Sequence, residues 1–142
     1  GSGEYSLTKY ITQSKYGRVD NDTILESSDD AARVKWGAPW RMPTMEEMEE
    51  LCNNCTWKWT TQNGVKGYRV TARNGNSIFL PAGGNMFSNS QFDTNEGWYW
   101  LRSLTTGSYP DCAYNMKFTS GTKGDTHYCT RTRGCNIRPV CP

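Results

Sequence analysis

The C-terminal stretch WYWLRSLTTGSYPDCAYNMKFTSGTKGDTHYCTRTRGCNIRPVC, residues 98–141, is the part of the chain that we expect to decide the fold. Its two ends are apolar or aromatic, beginning at Trp98 and closing around Ile137. Between them, residues 125–135 (DTHYCTRTRGC) follow neither the period of a strand nor that of a helix, and they mix acid, imidazole, phenol, thiol, hydroxyl and guanidinium groups. Such a segment makes poor core and is suited to contact with a ligand.

The composition of the whole chain favours one small domain rich in strands and loops. Its 142 residues are enough for a modest core. The formal net charge of +2 indicates no strong preference for polyanions, so nucleic acid is not an expected partner. No run is long enough to span a membrane, and no signal peptide is recognisable. We interpret residues 1–3 (Gly-Ser-Gly) as a cloning remnant and residues 4–142 as a single domain.

Six cysteines raise the question of zinc, redox chemistry or disulfides. Cys52 and Cys55 have the C-x-x-C spacing of a zinc knuckle or redox pair, but a structural zinc site needs four ligands. The chain has no second C-x-x-C and its one histidine is His127. We therefore expect no metal and no cofactor. A single disulfide is the simpler interpretation, with Cys55 to Cys141 as a candidate pairing.

A first short helix is predicted after an irregular N-terminal segment. Residues 4–22 are polar with scattered apolar anchors, which indicates irregular structure with at most one short strand. A helix is expected over residues 30–35, and its first turn can be capped by the side-chain oxygen of Ser27, Ser28 or Asp29.

A second helix is predicted over residues 45–53. Thr44 and Glu47 have the spacing of a capping box, and Pro43 stands directly before it. Apolar residues follow at helical spacing and make one face. The four glutamates of this segment are most simply a solvated face, favoured near the helix N-terminus by its dipole.

After this helix the hydrophobic period changes to two, which is typical of strands. Asn-Gly pairs at residues 63–64 and 74–75 predict turns, the second being the stronger hairpin signal. Residues 85–97 are interpreted as a polar loop. The predicted strands cover residues 57–61, 68–72, 77–80, 99–103, 113–118, part of 125–131, and 136–141. The expected class is therefore α+β, with two short helices, mostly antiparallel strands and long loops.

A catalytic interpretation of residues 125–129 is also available from the sequence. Asp125, His127 and Cys129 alternate, so on a strand they would share one face. Neighbours on a strand point in parallel, however, whereas a catalytic base must turn toward its nucleophile. We therefore expect no enzyme activity from this row.

Three longer segments resemble a known family. They are DDAARVKWGAPWRMPTMEEMEEL (29–51), CTWKWTTQNGVKGYRVTARNGNSIFLPAGG (55–84) and the GWYWLRSL, AYNMKF and IRPVC elements of the C-terminal half. They resemble the Bacteroidetes domains grouped as the Fibrobacter succinogenes major paralogous family, in particular the variable proteins of diversity-generating retroelements. The resemblance implies a C-type-lectin-like fold, shared with formylglycine-generating enzymes, and a variable ligand-binding region at about 98–141. The calcium-dependent sugar motifs of true lectins are absent, so the fold does not imply lectin activity.

The residue types of the C-terminal region agree with this resemblance. Retroelement diversification, as known for the family, replaces adenines, often in AAC codons, which cannot then encode Glu, Lys, Gln, Trp or Met. None of these five occurs in residues 105–115 or in residues 125–142. Lys and Glu are ordinarily among the commonest residues. Under this hypothesis the cysteines of the region are sampled side chains rather than a disulfide framework.

The leading prediction is a ligand-binding display protein that presents one surface of replaceable side chains. Tyr and Arg would anchor the ligand and smaller polar residues would adapt to it, as in a paratope. The resemblance implies a protein or glycan ligand on a cell surface, and an extracellular location on a bacterial surface or a phage tail tip. The expected ligand-binding residues are Tyr109, Asp111, Cys112, Asn115, Lys117, Asp125, His127, Tyr128, Cys129, Thr130, Thr132, Arg133 and Cys135.

Two alternative functions remain open from the sequence. The first is a non-variable surface adhesin or structural domain whose C-terminal half lacks the five residue types by chance. The second is an enzyme of the formylglycine-generating type.

Overall fold

The computed structural model describes residues 7–142 and shows a small α+β fold with two helices and mostly antiparallel strands. The predicted remnant at residues 1–3, and the first residues of the predicted domain, 4–6, lie outside the described part. A 3₁₀ turn covers Ser14–Tyr16, and the helices are α1 (Ala31–Trp36) and α2 (Met45–Asn54). The strands are β1 (Thr56–Gln62), β2 (Val65–Thr71), β3 (Ser77–Pro81), β4 (Asn85–Phe87), β5 (Ser90–Phe92), β6 (Gly97–Leu104), β7 (Cys112–Thr119), β8 (Thr122–Thr130) and β9 (Arg133–Gly134).

Helix α1 is capped by Asp30 rather than by one of the three residues before it. The buried Asp30 carboxylate accepts hydrogen bonds from the backbone N–H groups of Ala32 (3.0 Å) and Arg33 (3.1 Å). It also accepts from the N–H of Met42, at 3.0 and 3.1 Å. The predicted cap was therefore wrong. Asp30 accepts from the first turn of α1 and also from the Met42 N–H before α2, so it satisfies more buried donors than a cap that reached α1 alone.

The predicted capping box of α2 is confirmed. Thr44 Oγ1 accepts from the Glu47 N–H at 3.2 Å, and Glu47 Oε2 accepts from the Thr44 N–H at 2.9 Å. The Arg41 guanidinium also donates to both Glu47 oxygens, at 2.6 and 2.8 Å, and it lowers the pKa of Glu47 to about 2. On the inner face, Met48 and Cys52 are buried, as the helical spacing predicts.

The first hairpin uses Asn63-Gly64 as its two-residue turn. Gln62 pairs with Val65, and Asn63 and Gly64 both have positive φ (50° and 79°), which a tight hairpin turn of this twist requires. The Asn74-Gly75 turn joins β2 to β3 through a longer loop, since Thr71 pairs with Ser77. The Asn-Gly pair that was the stronger hairpin signal therefore lies in the longer of the two connections.

Two predictions for the C-terminal half were wrong. Residues 85–97 are not simply a loop, because β4 and β5 form a short antiparallel hairpin within them, with Phe87 paired to Ser90. Residues 136–141 do not form a strand, and their backbone makes isolated bridges at Asn136 and Val140. The last strand of the chain is instead β9, whose two residues pair with β4.

The core is organised around Phe118, whose side chain is almost completely buried. Its ring lies edge-on to Tyr68 (5.2 Å between centroids) and Trp57 (6.1 Å), and it stacks on Tyr99 at 6.1 Å. Gly97 lies directly opposite Phe118 on β6, and a Cβ there would stand 2.0 Å from the phenyl ring. The aromatic residues thus join the β1–β2–β3 sheet and the β6–β7–β8 sheet into one core.

All six cysteines lie in the described part of the chain and all are free thiols. The expected disulfide is therefore not present, and the candidate pairing of Cys55 with Cys141 was wrong. Burial raises the pKa of Cys52 to about 11, which keeps this thiol protonated and unreactive. Within residues 7–142, no helix has the length and apolar character needed to cross a membrane.

Candidate ligand-binding surface

The pairing of β7 with β8 brings the two stretches without Glu, Lys, Gln, Trp or Met side by side. Cys112 pairs with Thr130 and Asn115 pairs with His127. The loop before β7 joins the same patch, since the rings of Tyr109 and Tyr128 stack with centroids 4.9 Å apart. Residues 105–115 and 125–135, separate in the sequence, therefore form one contiguous region of the molecule.

The pleat divides the predicted site residues between the two sides of this sheet. The register pairs Trp98 with Lys117 and Lys117 with Asp125, so these side chains share one side. We call this side the Trp98 face, and its strand residues are Trp98, Trp100, Ala113, Asn115, Lys117, Asp125, His127 and Cys129. Cys112, Tyr128 and Thr130 point to the other side. The expectation that all thirteen residues lie on one face was therefore wrong, because successive strand residues alternate.

Two of the predicted ligand-binding residues are buried and so cannot contact a ligand directly. Asn115 is completely buried (0 % exposed), and Cys112 is also buried. The Asn115 Nδ2 group donates to Cys129 Sγ at 3.0 Å, while its Oδ1 atom has no hydrogen-bond partner within the described residues. These two side chains support the surface from beneath rather than contacting a ligand.

A second group of predicted residues lies at the Tyr109 end of the sheet. Tyr109 and Tyr128 remain 51 % and 48 % exposed despite their stacking, and their contact raises the pKa of the Tyr128 phenol. Thr130 and Thr132 share a hydrogen bond at 3.1 Å beside them. Asp111 is half-buried in the preceding loop.

Arg131, although it lies among the variable candidates, is an anchor for this end. Its guanidinium donates to the carbonyl oxygens of Lys9 (3.2 Å), Tyr10 (2.6 Å) and Pro110. Burial lowers the pKa of the Arg131 guanidinium. The contact holds the β8–β9 turn against the N-terminal segment, so this side chain is not available to a ligand.

A ladder of cations and aromatic rings crosses the Trp98 face. The Arg133 guanidinium carbon lies 5.6 Å from the Phe87 ring centroid and 5.8 Å from that of Trp98. The Lys117 ammonium lies 4.7 Å from the Trp98 ring. Glu96 accepts from both Lys117 Nζ (3.1 Å) and Trp98 Nε1 (3.0 Å), which fixes this end of the ladder. Guanidinium and ammonium groups are attracted to ring faces at these distances.

Sequence reasoning missed the aromatic side of this ladder. Phe87 and Phe92 are 45 % and 46 % exposed on the β4–β5 hairpin, and Met86 is similarly exposed. These residues fell in the segment predicted to be a polar loop. The apolar residues Met86 and Phe87 before the polar run 88–91, and Phe92 after it, were a signal that could have indicated a hairpin.

The row of Asp125, His127 and Cys129 lies on the Trp98 face, as the alternation predicts, but it is not connected as a catalytic triad. Among residues 7–142, no hydrogen bond joins His127 to either neighbour. The Cys129 thiol instead contacts Cys135 and Asn115, and hydrogen bonds from these two, with Cys135 the larger cause, lower the pKa of Cys129. The same contact raises the pKa of Cys135.

Comparisons with protein-family models, with curated proteins and with solved structures found no match to this chain. The geometry of the described residues is thus the basis for assigning a site. It shows a mixed aromatic, cationic and polar surface on one side of the β6–β7–β8 sheet, extended by the β4–β5 hairpin. The stacked pair Tyr109–Tyr128 lies at one end of the same sheet, with Tyr128 on the opposite side.

Proposed function

We propose that this protein is a ligand-binding domain of C-type-lectin-like fold whose C-terminal surface is diversified by a retroelement. Its ligand would be a macromolecule, protein or glycan, presented outside the cell. The observation that carries the proposal is the meeting of residues 105–115 with residues 125–135. Diversification of one surface requires that the two stretches lacking the five residue types meet in space, and the β7–β8 pairing brings them together.

The residues between the two stretches support the same proposal. Met116, a type that the diversified codons cannot encode, is fully buried in the core. Lys123, another such type, donates from Nζ to the carbonyl oxygen of Cys52 at 2.8 Å and so holds the end of α2. Two of the excluded residue types thus occur between the stretches, at positions on which the fold depends.

Two of the motifs that carry the family resemblance also contact each other in the structure. Arg41 of the WRMPT element and Val140 of the RPVC element exchange backbone hydrogen bonds, of 3.1 Å and 2.9 Å. Arg41 further binds Glu47 in the capping box of α2. Elements about a hundred residues apart thus form one scaffold unit, which supports a shared fold with the family named above.

The genomic locus tests the diversification directly. We expect a reverse-transcriptase gene nearby and a template repeat that differs from this gene only at adenines of the repeat, concentrated in codons for residues 105–115 and 125–135. A locus with neither element would overturn the diversification and favour the non-variable adhesin.

A stability measurement tests the replaceable character of the surface. Replacing both His127 and Thr132 with alanine should change the free energy of unfolding by less than about 1 kcal/mol, since both side chains are exposed. Met116→Ala, on the adjacent strand, should cost about 2–5 kcal/mol because it opens a cavity in the core. Urea denaturation of the two variants measures both values. A double variant as unstable as Met116→Ala would show that the surface is structural.

A further inference from the structure

We infer that the Trp98 face contains a carboxylate-binding subsite centred on Arg133, which takes an acidic side chain of a protein ligand. This inference rests on the proposed function and names the ligand chemistry of the same surface. It begins from the position of one guanidinium, which aromatic rings and a buried amide hold in place and which no acid among residues 7–142 neutralises.

Arg133 is held in position on three sides. Its carbon centre lies within 6 Å of the rings of both Phe87 and Trp98, at 5.6 and 5.8 Å. Its Nη1 group donates to Oδ1 of Asn85 at 2.8 Å. Asn85 is itself buried, and its Nδ2 group donates to Asp93 at 2.7 Å, so the amide can only turn its oxygen toward Arg133.

Within the described part of the chain, the charge of Arg133 has no acidic partner. Among residues 7–142, no carboxylate lies within ion-pair distance of it. Two acids of this region have other partners, since Glu96 binds Lys117 and Asp93 accepts a hydrogen bond from Asn85. Lys117, the other cation of the ladder, is neutralised by Glu96. Arg133 is thus the cation of the ladder whose charge a ligand can still neutralise.

The free edge of the guanidinium matches a carboxylate. Nε and Nη2 make no hydrogen bond within the described residues, and neither is sealed from solvent. Parallel N–H groups of a guanidinium pair with the two oxygens of a carboxylate, and charge-assisted bonds of this kind are about twice as strong as neutral ones. Because rings and Asn85 already restrain the side chain, little rotamer entropy remains to be lost on binding.

The surroundings favour a protein over a glycan as the source of the carboxylate. Phe87 pairs with Arg133, and Phe92 lies on the neighbouring strand β5; both are exposed apolar residues. Arginine flanked by aromatic residues is typical of the core of a protein–protein interface. Apolar side chains on both sides of an acidic residue would cover these groups and exclude water from the ion pair.

The test uses two peptides that differ only in one charge, acetyl-Phe-Glu-Phe-amide and acetyl-Phe-Gln-Phe-amide. In NMR titrations of the protein, we expect the Glu peptide to bind about tenfold more tightly than its Gln twin. Shifts should appear at the Trp98 indole N–H and at the amides of residues 85–87. In Arg133→Gln the two peptides should bind equally. Arg133→Lys keeps the positive charge but loses the parallel N–H groups of the guanidinium, so it should retain only part of the preference for the Glu peptide.

Arg69→Gln is the matched control, because Arg69 is exposed on β2, outside this face. It should keep the full preference for the Glu peptide. Equal binding of the twin peptides to the unaltered protein, failure of both to bind at millimolar concentration, or a preference that persists in Arg133→Gln would each overturn the subsite. Glucuronate binding at Arg133 without peptide binding would overturn the protein ligand and assign the site to an acidic glycan. None of these results depends on the genomic locus, so the diversification and the subsite can fail separately.

Discussion

Replacing Phe118 with alanine is expected to destabilise the protein by about 3–5 kcal/mol, the range for removing a buried phenyl ring. The ring contacts Trp57, Tyr68 and Tyr99 at the junction of two sheets. It also fills the space above Gly97, which has no side chain to take its place. The cavity left by the substitution would therefore have little means of collapsing.

Phe87→Ala is the matched control for this prediction. It removes the same ring from an exposed position on β4, so it should cost less than about 1 kcal/mol. Guanidinium chloride unfolding, followed by tryptophan fluorescence, measures both variants. Similar losses in the two would contradict a core centred on Phe118.

Replacing Asp30 with alanine is expected to lower the free energy of unfolding by about 3 kcal/mol. Loss of a helix N-cap costs up to about 2 kcal/mol, and each buried donor left without an acceptor costs about 1–3 kcal/mol. Asp30 provides both functions, because it caps α1 and accepts from the buried Met42 N–H. Arg102 Nε, 3.8 Å from the carboxylate, would also lose its counter-charge.

Asp30→Asn should be milder than Asp30→Ala, because the amide keeps one acceptor oxygen. Asp22→Ala serves as the exposed control and should change stability by less than about 0.5 kcal/mol. Thermal unfolding of the three variants gives the order. If Asp30→Ala and Asp22→Ala unfolded at the same temperature, the interpretation of Asp30 as the link between α1 and α2 would be wrong.

Structural elements that depend on residues close together in the chain could be predicted from the sequence. The capping box of α2 depends on two side chains three residues apart, and the Asn63-Gly64 turn depends on residues that tolerate positive φ. The alternation of Tyr68 and Val70 correctly placed the buried face of β2. The α+β class follows from these local signals in chain order.

Features that depend on pairing between distant strands could not be predicted. The pairing of β4 with β9, from the other end of the chain, has no local signal in the sequence. The cap of α1 moved to Asp30 because Met42, twelve residues later, presents a donor to it. In each case a long-range partner outweighed the local preference.

The candidate surface shows the same division. The sequence by itself determined which residue types occur in residues 105–115 and 125–142, and therefore which chemical groups this region contains. Only the tertiary structure decided that the two stretches touch, that Asn115 lies beneath the surface, and that Arg133 lies against Phe87 and Trp98. The physical reason is that side-chain type is a property of one position, whereas facing and burial follow from strand register, which long-range contacts set.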